Sequence, residues 1–86
     1  MIAKKGMIME MSNQQKFLVD DVKNVNGMDY VVFYSLDNMT FHIATEVMEN
    51  NKPKYNFLDQ EESLNIAKEI DKIESIDFDI ATLTDY

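Results

Sequence analysis

Between Lys16 and Met48 lie three successive apolar-rich runs separated by only a few residues, and in the second and third the side chains sort into two faces at every second position. A period of two sends alternate side chains to opposite faces of an extended chain, so this pattern demands a sheet. The firmest joint is Asn26-Gly27, between the runs Lys16 to Val22 and Met28 to Leu36. Both residues tolerate the positive φ that a tight hairpin turn requires. In Met28 to Leu36, Tyr30, Val32, Tyr34 and Leu36 share one face, with Val31 and Phe33 on the other. Asp37-Asn38 supplies turn chemistry. Thr40 to Met48 then alternates again, with Phe41, Ile43, Thr45 and Val47 on one side and His42, Ala44 and Glu46 on the other. A polar turn from Glu49 to Pro53 leads into a short fourth strand, Lys54 to Leu58. Joints this short make an antiparallel meander the simplest topology.

At Asp59 the period changes. Asp59 has N-cap chemistry and Glu62 stands three residues on, the spacing of a capping box. Leu64, Ile66, Ala67, Ile70 and Ile73 then recur at helical intervals through about Glu74. Beyond it, Ile76, Phe78 and Ile80 alternate with Asp77 and Asp79, which suits a final strand or a docked extended tail. The Met-rich first dozen residues are expected to form a loose arm or an extra edge strand. The chain thus reads as one α+β domain over residues 1–86. It should hold an antiparallel sheet of four to five strands with one helix packed on one face, and an acidic segment over 75–86. A helix covers only one face of a sheet. If Tyr30, Val32, Tyr34, Phe41, Ile43 and Val47 meet it, then Leu18, Val31, Phe33, Ala44 and Met48 lie on the other side. That second face needs the chain termini, a second copy or a partner to cover it. Leu18, Val31, Phe33 and Met48 are therefore candidates for a dimer or docking face.

The inventory for chemistry is thin. With no cysteine, thiolate catalysis, disulfides and cysteine-ligated zinc are excluded. His42 is the single histidine and reads as a half-exposed sheet residue. A general-base role would need an orienting partner, for which Glu46 is the candidate on the same strand face. None of Ser12, Ser35, Ser63 or Ser75 sits in a Gly-x-Ser-x-Gly elbow, and Gly6 and Gly27 are too isolated for a phosphate loop. Asp77, Asp79 and Asp85 resemble a loose calcium-type carboxylate run, but the EF-hand glycine and terminal Glu are missing. No catalytic residue, cofactor or metal is expected, and the chain does not read as an enzyme.

Charge is more informative. Sixteen Asp and Glu against eight Lys, with no Arg, give a net charge of −8. Such a chain is a poor partner for free nucleic acid or an anionic membrane, and basic surfaces on other proteins are its electrostatic complement. Residues 1–56 carry seven acids and six Lys, a balance of −1, whereas residues 57–86 carry nine acids and two Lys, a balance of −7. Asp59, Glu61 and Glu62 are accounted for by the first turn of a helix, where acids offset the positive dipole end. Lys68 with Asp71 and Glu69 with Lys72 have the spacing of helical ion pairs. Glu69, Glu74, Asp77, Asp79 and Asp85 remain as candidate partner-binding carboxylates.

No stretch approaches the ~20 apolar residues of a membrane span. Met7 to Met9, before Glu10, is too short for a signal-peptide core, so a cytoplasmic protein is expected. Met1 and Met7 both remain candidate starts. The order of sheet, capped acidic helix and acidic tail is similar to that of small bacterial proteins of unknown function and of small acidic inhibitors carried by phages, a likeness of composition and order that carries no residue roles. The leading expectation is a protein that binds a basic surface, such as that of a DNA- or RNA-handling protein, by charge mimicry. The alternative is a scaffold or assembly module that forms a homodimer or docks through the apolar sheet face.

Overall fold

The computed structural model describes residues 1–11 and 13–74, with side chains as far as residue 70. The architecture is α+β. Five antiparallel strands, β1 (Ile8–Glu10), β2 (Lys16–Val25), β3 (Met28–Ser35), β4 (Phe41–Glu49) and β5 (Lys52–Phe57), are followed by one helix, α1 (Gln60–Glu74). Each strand lies beside its neighbour in sequence, so the sheet is a meander. The final strand or docked tail expected over 76–80 lies outside the described residues.

The turns follow from their residues. Asn26 and Gly27 have φ of 52° and 86°, as a two-residue hairpin with right-handed twist requires. Asn50 and Asn51, with φ of 52° and 64°, make an equivalent turn between Glu49 and Lys52, which face each other. Pro53, read from sequence as part of the turn, therefore lies within β5. It is tolerated there because β5 is a sheet edge, where one side of the backbone has no ladder to complete. At the start of α1, the Glu62 N–H donates to Asp59 Oδ1 at 2.8 Å, which is the expected N-cap.

One irregularity changes which residues share a face. Val25 pairs with Met28 and Val22 with Val31, but between Asp21 and Val19 the register slips by one, and Val19 pairs with Phe33. Asp20 is the extra residue of this β-bulge. Counting back from the Asn26-Gly27 turn without the bulge puts Leu18 on the face of Val31 and Phe33. With it, Leu18 pairs with Tyr34 on the opposite face, and Phe17 and Val19 take the inner positions.

Each face carries an apolar cluster. On one, Phe17, Val19, Val31, Phe33 and Ala44 are buried together with Ala3, flanked by Met9, Met11, Val22, Tyr55 and Phe57. On the other, Val25, Val32 and Ile43 are buried with Ala67 and Ile70 of α1. The first cluster closes on itself because the sheet curls. Phe17 of β2 and Phe57 of β5 have ring centroids 5.8 Å apart, although β3 and β4 lie between their strands. In a flat sheet three strand spacings would separate them by about 14 Å.

Candidate functional site

β4 carries the residues with chemical potential. Alternation sends His42, Ala44 and Glu46 into the concave face, each facing a residue already inside: His42 opposite Phe33, Ala44 opposite Val31 and Phe57, Glu46 opposite Tyr55. His42 is only 4% exposed, which corrects the half-exposed sheet position expected for it. The curl is the reason. The Phe17 ring stands edge-on to the imidazole at 5.7 Å and the Phe57 ring at 6.2 Å. Nε2 of His42 shares a hydrogen bond of 2.9 Å with the Thr40 hydroxyl. Glu46 does not orient this imidazole, since four residues of strand separate the two by about 13 Å.

Glu46 has another task. Its Oε1 accepts the Ile2 N–H at 2.7 Å, and its Oε2 accepts the Ala3 N–H at 2.9 Å and the Tyr55 hydroxyl at 2.8 Å. Burial by itself would raise the pKa of this carboxyl, but the donors from Ala3, Ile2 and Tyr55 prevail and hold it below the ordinary carboxylate value. Tyr55 shifts the other way. Burial, the hydrogen bond to Glu46 and the negative charge of that carboxylate all push its pKa well above the ordinary tyrosine value. The arrangement is a clamp: an ionised carboxylate ties the segment Met1–Ala3 across the concave side, where Ala3 joins the buried cluster. Sequence reading considered Glu46 only as a partner for His42. The available signal was an acid at an inward position of a strand whose other inward residues are buried.

The candidate docking face does not exist as a face. Val31 and Phe33 are fully buried within the chain, and Leu18 is half-buried on the opposite side because of the bulge. Met48 is exposed, beside Pro53 at the β4–β5 end. Of the candidate carboxylates, Glu69 is half-buried on α1 and Glu74 closes the helix, while Asp77, Asp79 and Asp85 lie outside the described residues. Asp59, Glu61 and Glu62 are exposed together at the start of α1. Among the described residues, no concave pocket opens and no three of His, Asp and Glu are grouped to hold a metal ion. No helix among them is long and apolar enough to cross a membrane. No protein-family model, no curated protein and no solved structure matches the chain.

Proposed function

We propose that this chain is a non-enzymatic protein-binding protein whose acidic last third meets a basic surface on its partner, in the manner of a phage or mobile-element inhibitor that occupies a nucleic-acid-binding surface. The observation that carries the reading is the charge division: −7 over residues 57–86 against −1 over residues 1–56. The placement of the groups able to do acid–base work supports it, since His42 is enclosed by aromatic rings and Glu46 is engaged in a structural clamp. The same reading takes α1 as packed across the face of Val32 and Ile43. Asp59, Glu61 and Glu62 are then carried on a rigid element, with Glu69 and Glu74 further along it. Carboxylates held on a scaffold present negative potential that steers association with a cationic groove.

The test is capture of partners at low and high salt, with identification by mass spectrometry. Binding should weaken steeply as salt rises, and the partner should be a protein that handles DNA or RNA. Changing Glu74, Asp77 and Asp79 together to Gln, Asn and Asn should abolish capture, and capture that persists in this variant overturns the reading. The alternative, a scaffold docking through an apolar surface, loses Val31 and Phe33, which are buried within the chain. Ile8, Leu36 and Met39, with Met48 of the original face, are among the exposed apolar side chains that favour it.

A further inference from the structure

The two edges of the sheet differ. β5 is guarded: Pro53 lies in it, flanked by Lys52 and Lys54, and both features discourage strand addition. β1 has neither device. The Val19 N–H donates to the Met7 carbonyl and the Met11 N–H to the Gln15 carbonyl, so the Met7 carbonyl and the Met11 N–H point inward to β2, while the Met7 N–H donates to the Lys4 carbonyl. Antiparallel alternation places Met9 inward too, and leaves the N–H and C=O groups of Ile8 and Glu10 pointing out of the sheet. Ile8 is also 62% exposed, an unusual position for a β-branched apolar side chain on a sheet edge. It ends a row that crosses four strands in register, Ile8 to Leu18 to Tyr34 to Phe41. The last two members stack, with ring centroids 5.0 Å apart.

From these observations we infer that the β1 edge is the pairing surface for a second copy of this chain, joined antiparallel about a two-fold axis at Ile8. The register is argued from what each alternative places opposite Ile8. An axis at Met9 sets Ile8 against the Glu10 carboxylate. An axis at Ile8 sets Ile8 against Ile8 and extends the apolar row through both copies. On the concave side, Met7, itself exposed, falls opposite Met9 of the second copy. Two hydrogen bonds join the Ile8 backbones, because residues directly opposite in such a pair exchange both N–H···O bonds. Pairing stops short of Gly6, because the Gly6 N–H already donates to the Val19 carbonyl and the Met7 N–H to the Lys4 carbonyl, so the chain turns before Ile8. The strand is only three residues long, so the dimer is weak and depends on concentration. The net charge of −8 on each copy opposes association, so added salt strengthens the dimer, whereas it weakens the binding proposed through the acidic surface.

Sedimentation equilibrium over a wide concentration range should give a monomer–dimer equilibrium that shifts toward dimer as salt rises. Ile8→Lys places two ammonium groups opposite each other and should raise the dimer Kd by about tenfold or more. Because this side chain faces solvent in the monomer, circular dichroism and the melting temperature should stay near those of the parent. The chain has no cysteine, so Ile8→Cys offers a clean second readout: mild oxidation should yield a disulfide-linked dimer, and Asn56→Cys on the β5 edge should not. A monomer at every soluble concentration overturns the inference. So does a dimer that Ile8→Lys leaves unchanged, or cross-linking that is equal at the two edges.

Discussion

Glu46 shows how a single side chain can be costly and stabilising at once. Its charge is withdrawn from water, yet three donors reach it, and hydrogen bonds to a charged group contribute about 1.5–3 kcal/mol each. Glu46→Gln keeps the shape but removes the charge, and it turns one accepting oxygen into a donor that faces the Ile2 or Ala3 N–H. We expect a loss of about 2–3 kcal/mol in urea unfolding. The pH dependence follows from the direction of the shift. A carboxyl with a depressed folded-state pKa stabilises the fold above its unfolded value of 4.5, and that contribution is lost as pH falls through the folded value. Stability of the parent should therefore decline below about pH 4.5, and Glu46→Gln should flatten part of the decline. Tyr55 works at the other end of the scale. Its raised pKa stabilises the fold fully below pH 10, the ordinary tyrosine value, and the benefit is lost as pH rises through the folded value. Tyr55→Phe should remove that alkaline loss. Met39 is a different case, a side chain 69% exposed with φ of 58°, where glycine has no steric penalty. Met39→Gly should raise stability by about 0.5–1 kcal/mol, since no burial is forfeited.

Among the elements, α1 is the most legible from sequence, and its cap explains why. Asp59 and Glu62 announce a helix start by spacing alone, and the Glu62 N–H does meet the Asp59 carboxylate. Asp59→Ala should cost about 1 kcal/mol of stability. One turn further on, Ser63 is fully buried, and its hydroxyl has no hydrogen-bond partner among the described residues. Ser63→Ala removes an unsatisfied polar group and adds helix propensity, so a gain of about 1 kcal/mol is expected in the same assay. The strands were legible wherever alternation was unbroken, as in β3 and β4. In β2 it is broken by a bulge at Asp20-Asp21, and two adjacent polar residues give no sign of which one is extra. The bulge has a consequence: unbroken alternation predicts Leu18 on the concave face, whereas Phe17 and Val19 fill it. Pro53 likewise reads as a turn residue, because nothing in the sequence shows that its strand is an edge.

For the molecule as a whole, what sequence left open was how the second face is covered. The sheet curls until β5 meets β2 through Phe57 and Phe17, and the first residues of the chain lie across the opening, tied to Glu46. Neither feature is local: the clamp joins positions 43 and 44 residues apart, and nothing in the composition of Met1–Ala3 marks it. A chain beginning at Met7 tests whether this coverage matters. It lacks Ala3 from the buried cluster and both N–H donors to Glu46, leaving that carboxylate with the Tyr55 hydroxyl alone. We expect it to fold with about 2–4 kcal/mol less stability, because an incompletely compensated buried charge is expensive. Dyes that bind apolar surface should fluoresce more with it, as Phe17 and Phe33 lose cover. The decisive comparison is a double-mutant cycle between the truncation and Glu46→Gln. If segment and carboxylate act as one clamp, the substitution is much less damaging in the shortened chain than in the full one. Equal losses in both backgrounds would mean that Glu46 stabilises β4 and β5 through Tyr55, and that the N-terminal segment lies over the sheet without holding it closed.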